Sequence, residues 1–251
     1  MFSRTMTGTS RTIAVLITML AAMPARSQTI PGAVLARNEP HHHPAYEDQT
    51  LRVLRVHIGP HDTTLLHEHD PDYFWVALGA SEFVNAPLGK PDAVVKSPAL
   101  GVHYAAGHFA HVARNPGTSP FDNITVELLG TQSHVRNLCE AALAGQPLDC
   151  PRAVERPANA AGVTEHRAFT SDQLLVSVAT LQPGAALGAT SAAPSTWVIA
   201  LDTADTGHAL TIDGGGRWVG GTYRASGSGW AVRNRGSRVS RVVTVVRLSD
   251  R

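Results

Sequence analysis

Short segments in which apolar and polar residues alternate recur along the chain, and this two-residue period predicts β-strands. Two examples are Thr50 to Ile58 and Phe121 to Leu129. The 22 glycines and 16 prolines often separate such segments, as turn-forming residues do. Few segments show the longer period of an amphipathic helix. We therefore predict an all-β protein with many turns and little helix.

One pair of these segments carries potential metal ligands. His67, Glu68 and His69 precede the turn-forming Asp70-Pro71-Asp72, and the apolar run Tyr73 to Leu78 follows. On a β-strand, His67 and His69 would project from one face and Glu68 from the other. Two imidazoles this close can share a metal ion. We predict that the two segments form a hairpin over a cavity.

A second histidine motif lies between Gly107 and Asn115 and contains His111. Together with His67-x-His69, it resembles the two motifs of the cupin family, whose members fold as jelly-roll β-barrels. The resemblance implies that His67, His69 and His111 bind a metal and that Asn115 matches the asparagine of the second motif.

The resemblance also matches Gly59, Gly79 and Gly107 to the turn glycines of the family. Two positions depart from the pattern. Tyr73 stands where the family has a metal-binding glutamate, and Ala105 stands where a proline usually precedes the second glycine. Tyr73 is our candidate catalytic residue, orienting substrate or oxygen. A weak ligand or a packing residue are the alternatives for this side chain.

The second half of the chain repeats the first. Residues Ile58 to Leu78 align without a gap on Leu181 to Leu201, and Asn115 is matched by Asn234. The positions of His67, His69, Tyr73 and His111 are then occupied by Thr190, Ala192, Thr196 and Trp230, in that order. The fold prediction is therefore two cupin (jelly-roll type) β-barrels in tandem, the second without metal ligands.

The first 27 residues resemble a secretory signal peptide. Arg4 and Arg11 form a basic leader ahead of an apolar segment from Thr12 to Ala22, and Ala25-Arg26-Ser27 fits a cleavage site. We expect an exported protein, periplasmic or extracellular, and an uncleaved membrane anchor is the alternative. The remaining chain divides into an N-terminal barrel (28–133), a linker (134–161) and a C-terminal barrel (162–251).

The linker contains both cysteines of the chain, Cys139 and Cys150. An even pair in an exported protein predicts a disulfide, which would close a short loop. A catalytic or metal-binding pair is the alternative.

A run of three histidines, His41 to His43, lies ahead of the first barrel motif. Consecutive side chains of a strand cannot all face one site, so we interpret this run as a polar segment leading into a strand. Its metal affinity would then be adventitious.

The formal net charge of +1, without basic runs, provides no electrostatic basis for binding nucleic acid or, after signal cleavage, a membrane. The expected partner is a small-molecule ligand or substrate. Whether identical chains form a homo-oligomer stays open at this point.

Three neutral imidazoles suit one divalent transition metal, and Fe, Mn, Cu, Ni and Zn all fit this ligand type. Three-histidine cupins include thiol and β-diketone dioxygenases, and two-barrel cupins include flavonol dioxygenases. The resemblance thus implies a metal-dependent oxidoreductase of dioxygenase type acting on a small organic substrate. The alternatives are a non-catalytic cupin that binds a small ligand and a metal-assisted isomerase or hydrolase.

Overall fold

The computed structural model describes residues 30–139, 143, 146–149, 161–188, 196–200, 210–214, 216–219, 222–225 and 230–248. The predicted signal peptide and Cys150 lie outside the described residues, so export and the Cys139–Cys150 disulfide stay predictions. Within the described ranges, no helix is long and apolar enough to span a membrane.

The first half of the described chain forms two five-stranded sheets and one short 3-10 helix, Ala36–Asn38. Its strands are β1 (Val34–Leu35), β2 (His42–Glu47), β3 (Leu51–Ile58), β4 (His67–His69), β5 (Tyr73–Ala77), β6 (Ser81–Pro87), β7 (Ala93–Ser97), β8 (Val102–Ala105), β9 (Phe109–Arg114) and β10 (Phe121–Leu128). The strand orders are β1-β4-β9-β6-β7 and β2-β3-β10-β5-β8. Several neighbours in space are distant in sequence, such as β3 with β10 and β4 with β9, as in a jelly roll.

The strand predicted from Thr50 to Ile58 is confirmed as β3, and apolar residues from both of its faces are buried although Arg55 and His57 are exposed. Leu54, Val56 and Ile58 pack inside the first barrel. Leu51 and Val53 point the other way, into a second apolar cluster. Strand β3 therefore contributes apolar side chains to two separate clusters, one on each of its faces.

The second half forms a seven-stranded sheet and a three-stranded sheet. Its strands are β11 (Arg136–Asn137), β12 (Val163–Thr170), β13 (Leu174–Leu181), β14 (Ala186–Gly188), β15 (Thr196–Ala200), β16 (Leu210–Asp213), β17 (Gly216–Val219), β18 (Thr222–Ala225), β19 (Ala231–Asn234) and β20 (Ser240–Arg247). The prediction of an all-β protein is confirmed. Strand β11 lies inside the predicted linker and pairs with β12, so the linker contributes to the second sheet.

The two halves share one continuous apolar core, because the sheet that contains β3 packs against the sheet that contains β13. Phe74 meets Phe169 across this interface, with ring centroids 5.3 Å apart. At its edge, the Arg247 guanidinium donates to the Asp48 carboxylate at 2.6 Å. The barrels are therefore joined by a core, and the linker is not their only connection.

The predicted hairpin of His67–His69 with Tyr73–Leu78 is wrong. Strand β4 pairs with β1 and β9, whereas β5 pairs with β10 and β8 in the opposite sheet. The segment between them crosses from one sheet to the other. The Asp72 carboxylate holds it there by accepting the Gly107 N–H at 2.8 Å.

Candidate metal centre

Strands β4 and β9 bring the three predicted ligands together. His67 lies directly opposite His111 in the antiparallel register, and His69 follows on the same face of β4. All three side chains are buried, with exposed fractions of 1%, 2% and 7% for His67, His69 and His111. The ring centroid of His67 lies 5.2 Å from that of His69 and 4.4 Å from that of His111.

A fourth histidine, His42, enters the same cluster from β2 in the other sheet. It is 6% exposed, and its ring centroid lies 4.6 Å from that of His67 and 5.7 Å from that of His69. His42, His67 and His69 each offer one possible ligand atom, and these three atoms lie within 4.8 Å of one another. The two sequence motifs do not include His42. Strand alternation explains its position, because His43 next to it is exposed while His42 points inward.

Each of the four imidazoles uses Nδ1 to contact an acceptor outside the cluster. The acceptors and distances are Glu39 for His42 (2.6 Å), the Leu65 carbonyl for His67 (2.9 Å), Glu127 for His69 (3.1 Å) and Asn85 for His111 (2.6 Å). A carbonyl or carboxylate oxygen fixes the proton on Nδ1, so Nε2 of a neutral ring carries the lone pair. Protein metal sites orient their histidine ligands in this way.

Two of the Nε2 atoms have no hydrogen-bond partner although they are fully buried. They belong to His67 and His111. Buried polar atoms are rarely left without a partner, because desolvation costs free energy that nothing then offsets. A divalent metal would satisfy such lone pairs, so the residues present fit a metal ion.

The charge state of the rings suits the same purpose. Burial, with a smaller contribution from the neighbouring His42 and His69, lowers the pKa of His67 to about 3. Burial also holds the pKa of His69 and of His111 well below the usual histidine value. These rings are neutral at neutral pH, which is the form that binds metals.

Two buried carboxylates stand behind the histidines. Burial by itself raises the pKa of Glu39, but hydrogen bonds from His42 and His41 outweigh it and lower the pKa to about 2. Burial raises the pKa of Glu127, and the Arg52 guanidinium opposes that rise. Arg52 donates to one Glu127 oxygen while His69 contacts the other. Both acids thus hold a histidine in a defined orientation.

Tyr73, the predicted catalytic residue, stacks on the His69 ring with centroids 4.0 Å apart and planes 20° apart. Burial, followed by the nearby Glu127 charge, raises the pKa of its phenol. Tyr73 therefore stays a neutral phenol at neutral pH, and a neutral phenol is a poorer metal ligand than the glutamate of the family pattern. Phe109 extends this aromatic wall, 6.2 Å from Tyr73 between ring centroids.

No protein-family model matches the sequence, and no curated protein matches it. Among solved structures, AerE from Microcystis aeruginosa is similar with a TM-score of 0.50 and 11% identity, covering 84% of this chain and 99% of its own. A variant of salicylate 1,2-dioxygenase from Pseudoaminobacter salicylatoxidans is similar with a TM-score of 0.50 and 14% identity, and the match covers 80% of this chain and 71% of the dioxygenase chain. A cupin domain from Bordetella pertussis Tohama I is 16% identical with a TM-score of 0.34, and the match covers 41% of this chain and 98% of that domain.

The histidine cluster lies between the two sheets of a jelly-roll barrel, and three of its four members, His67, His69 and His111, belong to the two sequence motifs. The chain has the cupin fold. In the second cupin barrel, the position of His111 is held by the buried Trp230, and that of Tyr73 by the buried Thr196. Thr190 and Ala192, the counterparts of His67 and His69, lie outside the described residues.

Proposed function

We propose that this cupin is an exported, metal-dependent oxidoreductase of dioxygenase type that acts on a small organic substrate. His67, His69 and His111 would hold the metal. The observation that supports this most directly is the pair of buried, unpartnered Nε2 atoms on His67 and His111. Neutral imidazoles whose lone pairs converge are costly to bury unless a metal satisfies them.

A redox-active divalent metal bound at this position would provide a Lewis-acidic centre for an organic substrate and dioxygen. The residues of the chain would do the rest. Glu127 and Asn85 hold the rings of His69 and His111, and Tyr73 and Phe109 form an aromatic wall against which a substrate can be oriented. In a dioxygenase reaction both oxygen atoms enter the substrate, so no external reductant is consumed.

One structural neighbour is named a salicylate 1,2-dioxygenase. We propose the same reaction type for this chain. The candidate substrates form a broader set of thiols, β-diketones and phenolic acids such as salicylate.

Oxygen uptake tests the proposal. Protein purified without a polyhistidine tag and loaded with Fe²⁺ under anaerobic conditions should consume oxygen with at least one of these classes. The His67→Ala/His69→Ala double variant should lose that uptake. If the iron-loaded protein consumes no oxygen with any class, the oxidoreductase proposal is wrong, and a ligand-binding, isomerase or hydrolase role replaces it.

A further inference from the structure

The position of His42 carries an inference that rests on the proposed metal site and extends it. We propose that His42 is a fourth ligand of the metal and that Glu39 positions it. The family pattern has a glutamate as the fourth ligand, and in this chain Tyr73 stands at that place.

Distance supports the assignment. The ring centroid of His42 lies 4.6 Å from that of His67 and 5.7 Å from that of His69. The ring centroid of the predicted ligand His111 lies 4.4 Å and 5.5 Å from the same two centroids. His42 is therefore as close to the β4 pair as His111 is. Imidazole nitrogens bound to one ion lie about 3–4 Å apart, and one possible ligand atom from each of His42, His67 and His69 lies within 4.8 Å of the other two.

Orientation supports it as well. The Glu39 carboxylate accepts a hydrogen bond from Nδ1 of His42 at 2.6 Å, just as Glu127 contacts Nδ1 of His69. Glu39 is 1% exposed and also accepts the backbone N–H of Leu65 at 3.1 Å. The carbonyl of Leu65 in turn contacts Nδ1 of His67. A single buried carboxylate thus fixes both His42 and the segment that orients His67.

The consequence is a centre with four imidazole ligands contributed by both sheets of the barrel. Tyr73 then has no ligand role, and its ring stacks on the ring of His69. Fewer coordination positions stay open than in a three-histidine site, so the metal can accept fewer atoms of substrate and oxygen.

Binding of Co²⁺ to the untagged, metal-free full chain tests the inference, with affinity and visible absorption as readouts. His42→Ala should weaken binding at least about 100-fold and change the absorption, and Glu39→Gln should weaken it about 10-fold. His43→Ala is the matched control, since the neighbouring His43 is exposed. It should leave both readouts unchanged. His67→Ala should lose specific binding.

The outcomes separate the two proposals. If wild type binds Co²⁺ and His67→Ala does not, but His42→Ala matches wild type in affinity and spectrum, the fourth ligand is wrong and the three-histidine site stands. If wild type itself binds no Co²⁺, the metal site is wrong. Should His42→Ala not fold, pulsed EPR of the Cu²⁺-loaded wild type decides. Four coordinated imidazoles support the inference, and three overturn it.

Discussion

At the scale of single residues, Asn115 shows how one side chain can hold a turn. Its amide donates to the carbonyls of Ile58, Gly59 and Ser119, and its carbonyl accepts the N–H of Gly117. The side chain is 3% exposed. One side chain thus contacts four backbone groups, so Asn115 stabilises this turn at the end of the barrel.

The second barrel contains the same arrangement. Asn234 donates to the carbonyls of Leu181 and Arg238 and accepts the N–H of Gly236. The turn has been kept where the histidine chemistry has not, since Trp230 replaces His111. This asparagine of the cupin motif is therefore structural in this protein.

Replacing Asn115 by alanine should lower the free energy of unfolding by about 1–3 kcal/mol, because the carbonyls of Ile58 and Ser119 lose this donor. Asn234→Ala should have an effect of similar size. Asn38→Ala, at an exposed position, should change the free energy by less than about 0.5 kcal/mol. Urea unfolding measures all three. If Asn115→Ala proves as stable as Asn38→Ala, the structural role assigned to this amide is wrong.

Much of the candidate site was predictable at this scale, and the reasons differ by residue. The spacing of His67 and His69 already places both on one face of a strand, and the motif around His111 resembles that of cupins. His42 was not predictable, because three consecutive histidines carry no signal about which of them faces the interior. That choice depends on how β2 pairs with β3, whose register is shifted between Pro44 and Tyr46.

At the scale of elements, the crossing between β4 and β5 decides the shape of the site. Gly107 lies against this crossing so closely that a Cβ atom there would be 2.4 Å from the Asp70 carbonyl oxygen and from the Pro71 carbonyl carbon. The other two glycines matched to the family differ. A Cβ at Gly79 would meet nothing within 4 Å, and one at Gly59 would make only ordinary contacts with Asp62.

Gly107→Ala should therefore destabilise the protein by about 1–3 kcal/mol, because backbone must move to admit the methyl group. Since His69 directly precedes the crossing, Co²⁺ affinity should fall as well. Gly79→Ala is the control and should leave metal affinity unchanged. Urea unfolding and Co²⁺ titration of both variants check this, and equal stability of the two would contradict the steric argument.

The error in the predicted hairpin also belongs to this scale. Alternation and turn residues identified the strands on both sides of Asp70-Pro71-Asp72, but a turn signal does not say whether the strands that it joins are neighbours. The contacts of Asp72 and Gly107, which lie far apart in sequence, decide that they are not.

At the scale of the whole molecule, the two cupin barrels share a core but not their chemistry. The internal repeat predicted a second barrel. Extending its gap-free alignment from Ile58 and Leu181 towards the N-terminus matches β3 (Leu51–Ile58) to β13 (Leu174–Leu181) residue for residue. The packing of these strands against each other was not predictable. An apolar face of a strand is the same in sequence whether it lines a barrel or an interface.

The two barrels differ in their potential metal ligands, and this difference predicts the number of metal sites per chain. The histidine cluster lies in the first barrel, whereas Trp230 and Thr196 occupy the corresponding positions that the structure describes in the second. We expect one specific metal site per chain.

The decisive measurement is the metal content of the full chain, purified without a polyhistidine tag. Elemental mass spectrometry measures the metal, and amino-acid analysis quantifies the protein. Wild type should contain one transition metal ion per chain, and the His67→Ala/His69→Ala double variant should contain none after the same purification. Full metal content in the double variant would show that the metal binds elsewhere and would overturn the assignment of the site to His67 and His69.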